Sequence, residues 1–63
     1  MEFTEKNISD LKQTMIKKYG KTSYRLLSEE LGVSRQAINN AIFNFPSMDK
    51  LRERIVKWIE NNK

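Results

Sequence analysis

Sixty-three residues, a formal charge of +4 from twelve Lys/Arg against eight Asp/Glu, and neither cysteine nor histidine leave few classes open. One domain over residues 1–63 is the ceiling, with packing alone to carry it, since no disulfide or Cys/His-held zinc can form and so short a chain buries only about 60% of its unfolded surface. Histidine- and cysteine-dependent catalysis is excluded, a deep small-molecule pocket needs more scaffold, and a pI of 9.6 points mildly towards a polyanion.

One proline and two glycines are too little punctuation for an all-β chain, so the expected class is all-α. Thr4 opens the first helix as a cap, with Phe3 and Ile8 at the spacing of a hydrophobic staple. Ile8, Leu11, Met15 and Tyr19 then recur at helical steps, and Gly20 after Lys17 and Lys18 closes the segment. This helix is placed at about 5–18. Thr22 and Ser23 both suit the cap of a second helix over about 23–31. Tyr24, Leu27 and Leu31 lie on its inner side, and Arg25, Glu29 and Glu30 face out.

Gly32 ends that helix, and Ser34 opens a third two residues later, over about 34–44. Its inner positions are Ala37, Ile38, Ala41 and Ile42. Asn44-Phe45-Pro46 terminates it, because the residue before proline is pushed out of the α region. Ser47 is expected to cap a last helix over about 48–60, with Asp49 in its first turn and a stripe of Leu51, Ile55, Trp58 and Ile59. No apolar run approaches bilayer length, and the acidic, mixed MEFTEKNISD start is unlike a secretory signal.

The informative feature is the joint Gly32-Val33-Ser34. Two short helices meeting at such a corner make a helix-turn-helix. Ser28 is small enough for the close approach, Val33 plugs the corner, and Ile38 locks the second helix onto the first. The outward face of that second helix carries Ser34, Arg35, Gln36, Asn39 and Asn40, with Phe43 at its end. Arginine pairs well with guanine, Gln and Asn pair with adenine, and an apolar edge can meet a thymine methyl. A face richer in amides than in Glu and Lys is unusual for a merely solvated surface, although a plain surface helix remains the competing reading.

The run from Tyr19-Gly20-Lys21-Thr22 through Leu31-Gly32-Val33-Ser34-Arg35-Gln36-Ala37-Ile38-Asn39-Asn40-Ala41-Ile42 resembles the DNA-binding core of the phage Cro and repressor family, most closely its lambda Cro branch. It covers a little over a third of the chain. The Gly-Val corner is shared by many helix-turn-helix proteins, and the Ala-Ile-Asn run is more specific. The resemblance implies base contacts from Arg35, Gln36, Asn39 and Asn40, and phosphate contacts from Lys21, Thr22, Ser23 and Tyr24. It implies a four-helix DNA-binding domain, a transcriptional repressor working in a bacterial cytoplasm. It also implies a double-stranded, pseudo-palindromic operator bound by a homodimer, without cofactor, metal or membrane. One departure concerns the ending. That branch finishes in a β-hairpin, whereas Ser47–Glu60 reads as helix and looks more like the all-helical Cro proteins.

Ser34 joins the base-reading set through its place on the helical face. Lys18 joins the phosphate set through the cluster it forms with Lys17 and Lys21, for which helix-dipole compensation is the alternative. Arg52, Arg54 and Lys57 read as solvated. Phe43, Phe45, Met48 and Trp58 are candidate dimer contacts, although for Trp58 filling the base of the core is the first reading and the dimer contact the alternative. A protein-interaction module, such as an antirepressor binding another regulator, is the reading from a different class.

Overall fold

The computed structural model describes all residues 1–63. Four helices follow one another without a strand: α1 (Glu5–Tyr19), α2 (Tyr24–Leu31), α3 (Arg35–Ile42) and α4 (Asp49–Asn61). The chain is therefore all-α, as its composition demands, and α2 and α3 meet at the tight corner foreseen.

Local chemistry explains most of the ends. Thr4 accepts from the Asn7 amide at 3.1 Å while the Asn7 side chain returns to the Thr4 amide at 3.0 Å, a reciprocal capping box. Ser23 and Ser34 cap α2 and α3 through the Leu26 amide at 3.2 Å and the Ala37 amide at 3.1 Å. Gly32 sits at φ 72° in the left-handed region. The Val33 amide donates to Ser28 O at 3.0 Å and the Gly32 amide to Glu29 O at 3.3 Å, the six-to-one pairing that closes a helix. Asn44 does the same for α3 at φ 62°, with the Phe45 amide on Asn40 O at 2.9 Å. After glycine, asparagine is the residue best suited to that conformation.

The start of α4 departs from expectation. Ser47 is not its cap. The chain turns left-handed at Ser47, φ 68°, to leave Pro46, and Met48 occupies the cap position with no side-chain hydrogen bond. The first turn is held instead by Asp49, whose carboxylate accepts from Arg52 at 2.8 Å and from the Met1 ammonium at 3.0 Å.

One apolar core is shared by all four helices, with Leu11, Met15, Leu27, Ile38, Ala41 and Ile55 fully buried and Phe3, Ile42, Ile59 and Trp58 close behind. Helix α1 packs on α4, α2 on α3, and α3 on α4. The surface of 4190 Å² is the value of roughly 4,200 Å² expected of a folded monomer of this mass. The fold as a single chain thus buries its normal share.

Two polar residues tie the helices together, Arg52 from the interior against expectation and Glu30 from the surface on which its helical face places it. Arg52, read as solvated, is buried at 5% exposure. Its guanidinium donates to Met1 O at 2.8 Å, Ala41 O at 3.0 Å, Phe45 O at 3.2 Å and the Asp49 carboxylate. Glu30, read as facing out, accepts from Lys18 at 2.7 Å, from the Tyr19 hydroxyl at 2.5 Å and from the Trp58 indole at 2.7 Å. One carboxylate therefore joins α1, α2 and α4. The Lys18 hydrogen bond above all, then that of Tyr19, holds its pKa below the usual carboxylate value, while burial first, then Glu30, pushes the Tyr19 phenol up.

Replacing Arg52 with methionine keeps the stem but strips the donors from two carbonyls at the end of α3. A loss of about 3 kcal/mol is expected, read as a lower urea midpoint at unchanged slope; a loss under about 1 kcal/mol would show that water substitutes. Glu30 gives a pH signature. Its folded pKa lies below the ordinary 4.5, so its contribution is present at neutral pH and lost as pH falls through the folded value. Glu30→Gln should be less stable than wild type at pH 7, the gap in thermal midpoint narrowing as the buffer is taken down to about pH 3. A gap independent of pH would refute the ion's role.

Candidate nucleic-acid interface

The corner between α2 and α3 sets one helical N-terminus against the outward face of the other helix. Between them lies an open cleft of about 600 Å³ lined by Thr22, Ser23, Tyr24, Arg25, Arg35, Gln36 and Asn39. Six of these were expected from the sequence as base or phosphate contacts, three on each side of the corner. The fold brings them to one surface.

The cleft has an electrostatic sign. Arg25 and Arg35 are its two charged linings and no carboxylate lines it. Neither α2 nor α3 carries an acid in its first turn, so the partial positive ends of both helices are uncompensated by their own side chains. Burial pushes the Tyr24 phenol above its ordinary value, so at neutral pH it stays protonated and available as a donor. Ser23 and Ser34 have committed an oxygen lone pair to their caps, and each keeps its hydroxyl proton for a further acceptor. The surface thus offers donors, two guanidinium groups and a row of carboxamides, a combination complementary to an anion with base edges behind it.

Arg25 is the member that sequence reasoning missed, having been read only as outward-facing. Its place in the first turn of α2, beside Tyr24, was the available signal. Its guanidinium is held by Glu29 one turn on at 3.3 Å, an exposed pair that leaves it free to rearrange.

The remaining candidates divide. Asn40 is half-buried on α3 and accepts a hydrogen bond from Gln36. Lys21 is exposed in the turn before α2. Lys18 is elsewhere: its ammonium pairs with Glu30 and stands 5.6 Å from the centre of the Trp58 ring, so it is committed to the α1–α2–α4 junction. Lys18 does not line the cleft. Phe43 and Phe45 remain open, 67% and 52% exposed, while Met48 packs partly against the core. Trp58 belongs to the core and not to an outer contact surface. It is 6% exposed, stacks on Tyr19 at 5.9 Å between ring centres, and gives its N–H to Glu30.

No protein-family model matches the chain, and neither does any curated protein or solved structure.

The caps supply a stability test of the site's scaffold. Ser23→Ala and Ser34→Ala should each lower unfolding free energy by about 1 kcal/mol, seen in urea melts. Unchanged midpoints in both would mean that water satisfies these helix starts equally well.

Proposed function

We propose that the protein is a sequence-specific double-stranded-DNA-binding regulator, a repressor of the Cro type serving a phage or prophage switch, that reads the major groove with α3. The observation that carries this reading is the shared cleft. The positive end of α2 with Thr22, Ser23, Tyr24 and Arg25 stands beside Arg35, Gln36 and Asn39 on the exposed face of α3. In a helix-turn-helix the second helix enters the groove by its N-terminal residues while the first spans the backbone. Phosphate donors on one wall and base-reading groups on the other are what that docking requires.

The roles follow from chemistry. Arg35 suits guanine, Gln36 and Asn39 suit adenine, and Lys21, Thr22, Ser23, Tyr24 and Arg25 supply donors to phosphate. A palindromic site presents two half-sites about one helical turn apart, and two copies of the chain meet that spacing as a homodimer on DNA. Repression would come from occupancy of the operator, with no ligand or cofactor in the cycle. A second reading, a module that binds another regulator on this same fold, draws on the exposed Phe43 and Phe45.

Titration of duplex DNA by fluorescence anisotropy separates them. The two cations of the phosphate set, Lys21 and Arg25, predict a fall in affinity of about tenfold per bound copy between 50 and 200 mM salt. Lys21→Ala should weaken binding to all sequences alike and reduce the salt slope by about one unit, whereas Lys18→Ala should leave the slope unchanged. Gln36→Ala or Asn39→Ala should lose discrimination at particular base pairs. No retention of any duplex at low salt would overturn the DNA reading in favour of a protein partner.

A further inference from the structure

Gln36 and Asn40 stand one helical turn apart on α3, and Gln36 Nε2 donates to Asn40 Oδ1 at 3.1 Å. We propose that these two side chains form a single reader, in which Asn40 is a positioning residue that fixes the Gln36 carboxamide to accept adenine and refuse guanine. The inference rests on α3 being the DNA-reading helix and adds which residue sets the base preference.

The argument is an inventory of donors and acceptors. A glutamine carboxamide owns two N–H donors and one carbonyl oxygen. Adenine's groove edge offers an acceptor at N7 and a donor at N6, so it asks for one N–H and one oxygen in return. Guanine offers two acceptors, N7 and O6, and asks for two donors. A free glutamine can rotate to meet either request. Committing one N–H to Asn40 leaves one N–H and the whole carbonyl oxygen, which is the adenine complement and one donor short for guanine. Committing the oxygen instead would have left two donors. The direction of this hydrogen bond therefore carries base preference.

Burial fits the division of labour. Gln36 is exposed and Asn40 half-buried, so the acceptor is the more restrained of the pair and the reader projects beyond it. An exposed pair at this spacing adds little stability by itself. Its consequence is orientation, established before DNA arrives, since a long exposed side chain otherwise loses rotamer freedom on binding.

The test has a DNA-free arm and a binding arm. In the free protein, the Gln36 Nε2 proton engaged by Asn40 should lie downfield of its place in an unpaired glutamine, returning towards that place in Asn40→Ala and staying displaced in Asn40→Asp, which keeps an acceptor oxygen. Equal spectra in wild type and Asn40→Ala would overturn the pairing without reference to DNA. For binding, duplexes are first selected from a random pool by the wild-type chain. Affinities are then compared with a variant carrying G·C for A·T at the position that Gln36→Ala identifies. Wild type should discriminate by about tenfold or more. Gln36→Ala and Asn40→Ala should both lose that discrimination at the same base pair, and the double variant should lose no more. Asn40→Asp should retain the preference while binding every duplex more weakly through its charge. Circular dichroism of each variant secures the fold. An Asn40→Ala effect at a different base pair, or losses that multiply in the double variant, overturn the inference and leave the DNA reading standing. Failure of wild type to select any duplex overturns both.

Discussion

A guanidinium buried at the end of α3 is the constraint on which the arrangement depends. An eight-residue helix cannot hold itself together in water, because nucleation costs more than so few hydrogen bonds return. Helix α3 is instead held at both ends, by the Gly32-Val33-Ser34 corner and by Arg52, which donates to the carbonyls of Ala41 and Phe45. Those oxygens belong to the last turn and the loop beyond it, where a helix runs out of internal donors. The planar fork of arginine reaches both while its remaining groups serve Met1 O and Asp49. Asp49 is largely exposed, so the pair keeps one foot in water and avoids the full cost of a buried ion.

Glu30 works on the opposite side. By accepting from Lys18, Tyr19 and Trp58 it fastens the back of α2 to α1 and α4, so the N-terminal end of α2 projects at a fixed angle beside α3. The effect on charge is as significant as that on packing. Lys18 and Arg52 are engaged with carboxylates, and α3 itself carries Arg35 as its one cation. Of the twelve cations, Arg25 and Arg35 line the cleft.

Legibility followed distance along the chain. The caps at Thr4, Ser23 and Ser34, and the left-handed closures at Gly20 and Gly32, depend on partners within five residues, so residue type and spacing suffice to place them. The same holds for most of the cleft, since Thr22 to Tyr24 and Arg35 to Asn39 sit on two elements whose ends were already marked. Ser47 misled because serine is a cap by propensity, yet the chain passes through positive φ there and Met48 takes the cap position. Trp58 fitted a core or an interface on composition alone; the indole N–H of a buried ring needed an acceptor, and the exposed Glu30 supplies it from the surface.

Sequence by itself determined the all-helical class, the four segments, the corner between the second and third, and which face of α3 is rich in amides. Periodicity, caps and breakers are local properties, settled by the backbone and its nearest neighbours. Only the tertiary structure decided that Arg52 is an internal tie, that Glu30 bridges three helices from the surface, that Lys18 pairs with it, and that Arg25 joins the cleft. Arg52 meets Met1 across 51 positions and Trp58 meets Glu30 across 28. A long charged side chain has the same amphipathic signature whether it ends in water or on a distant carbonyl, and the choice is made when the helices pack.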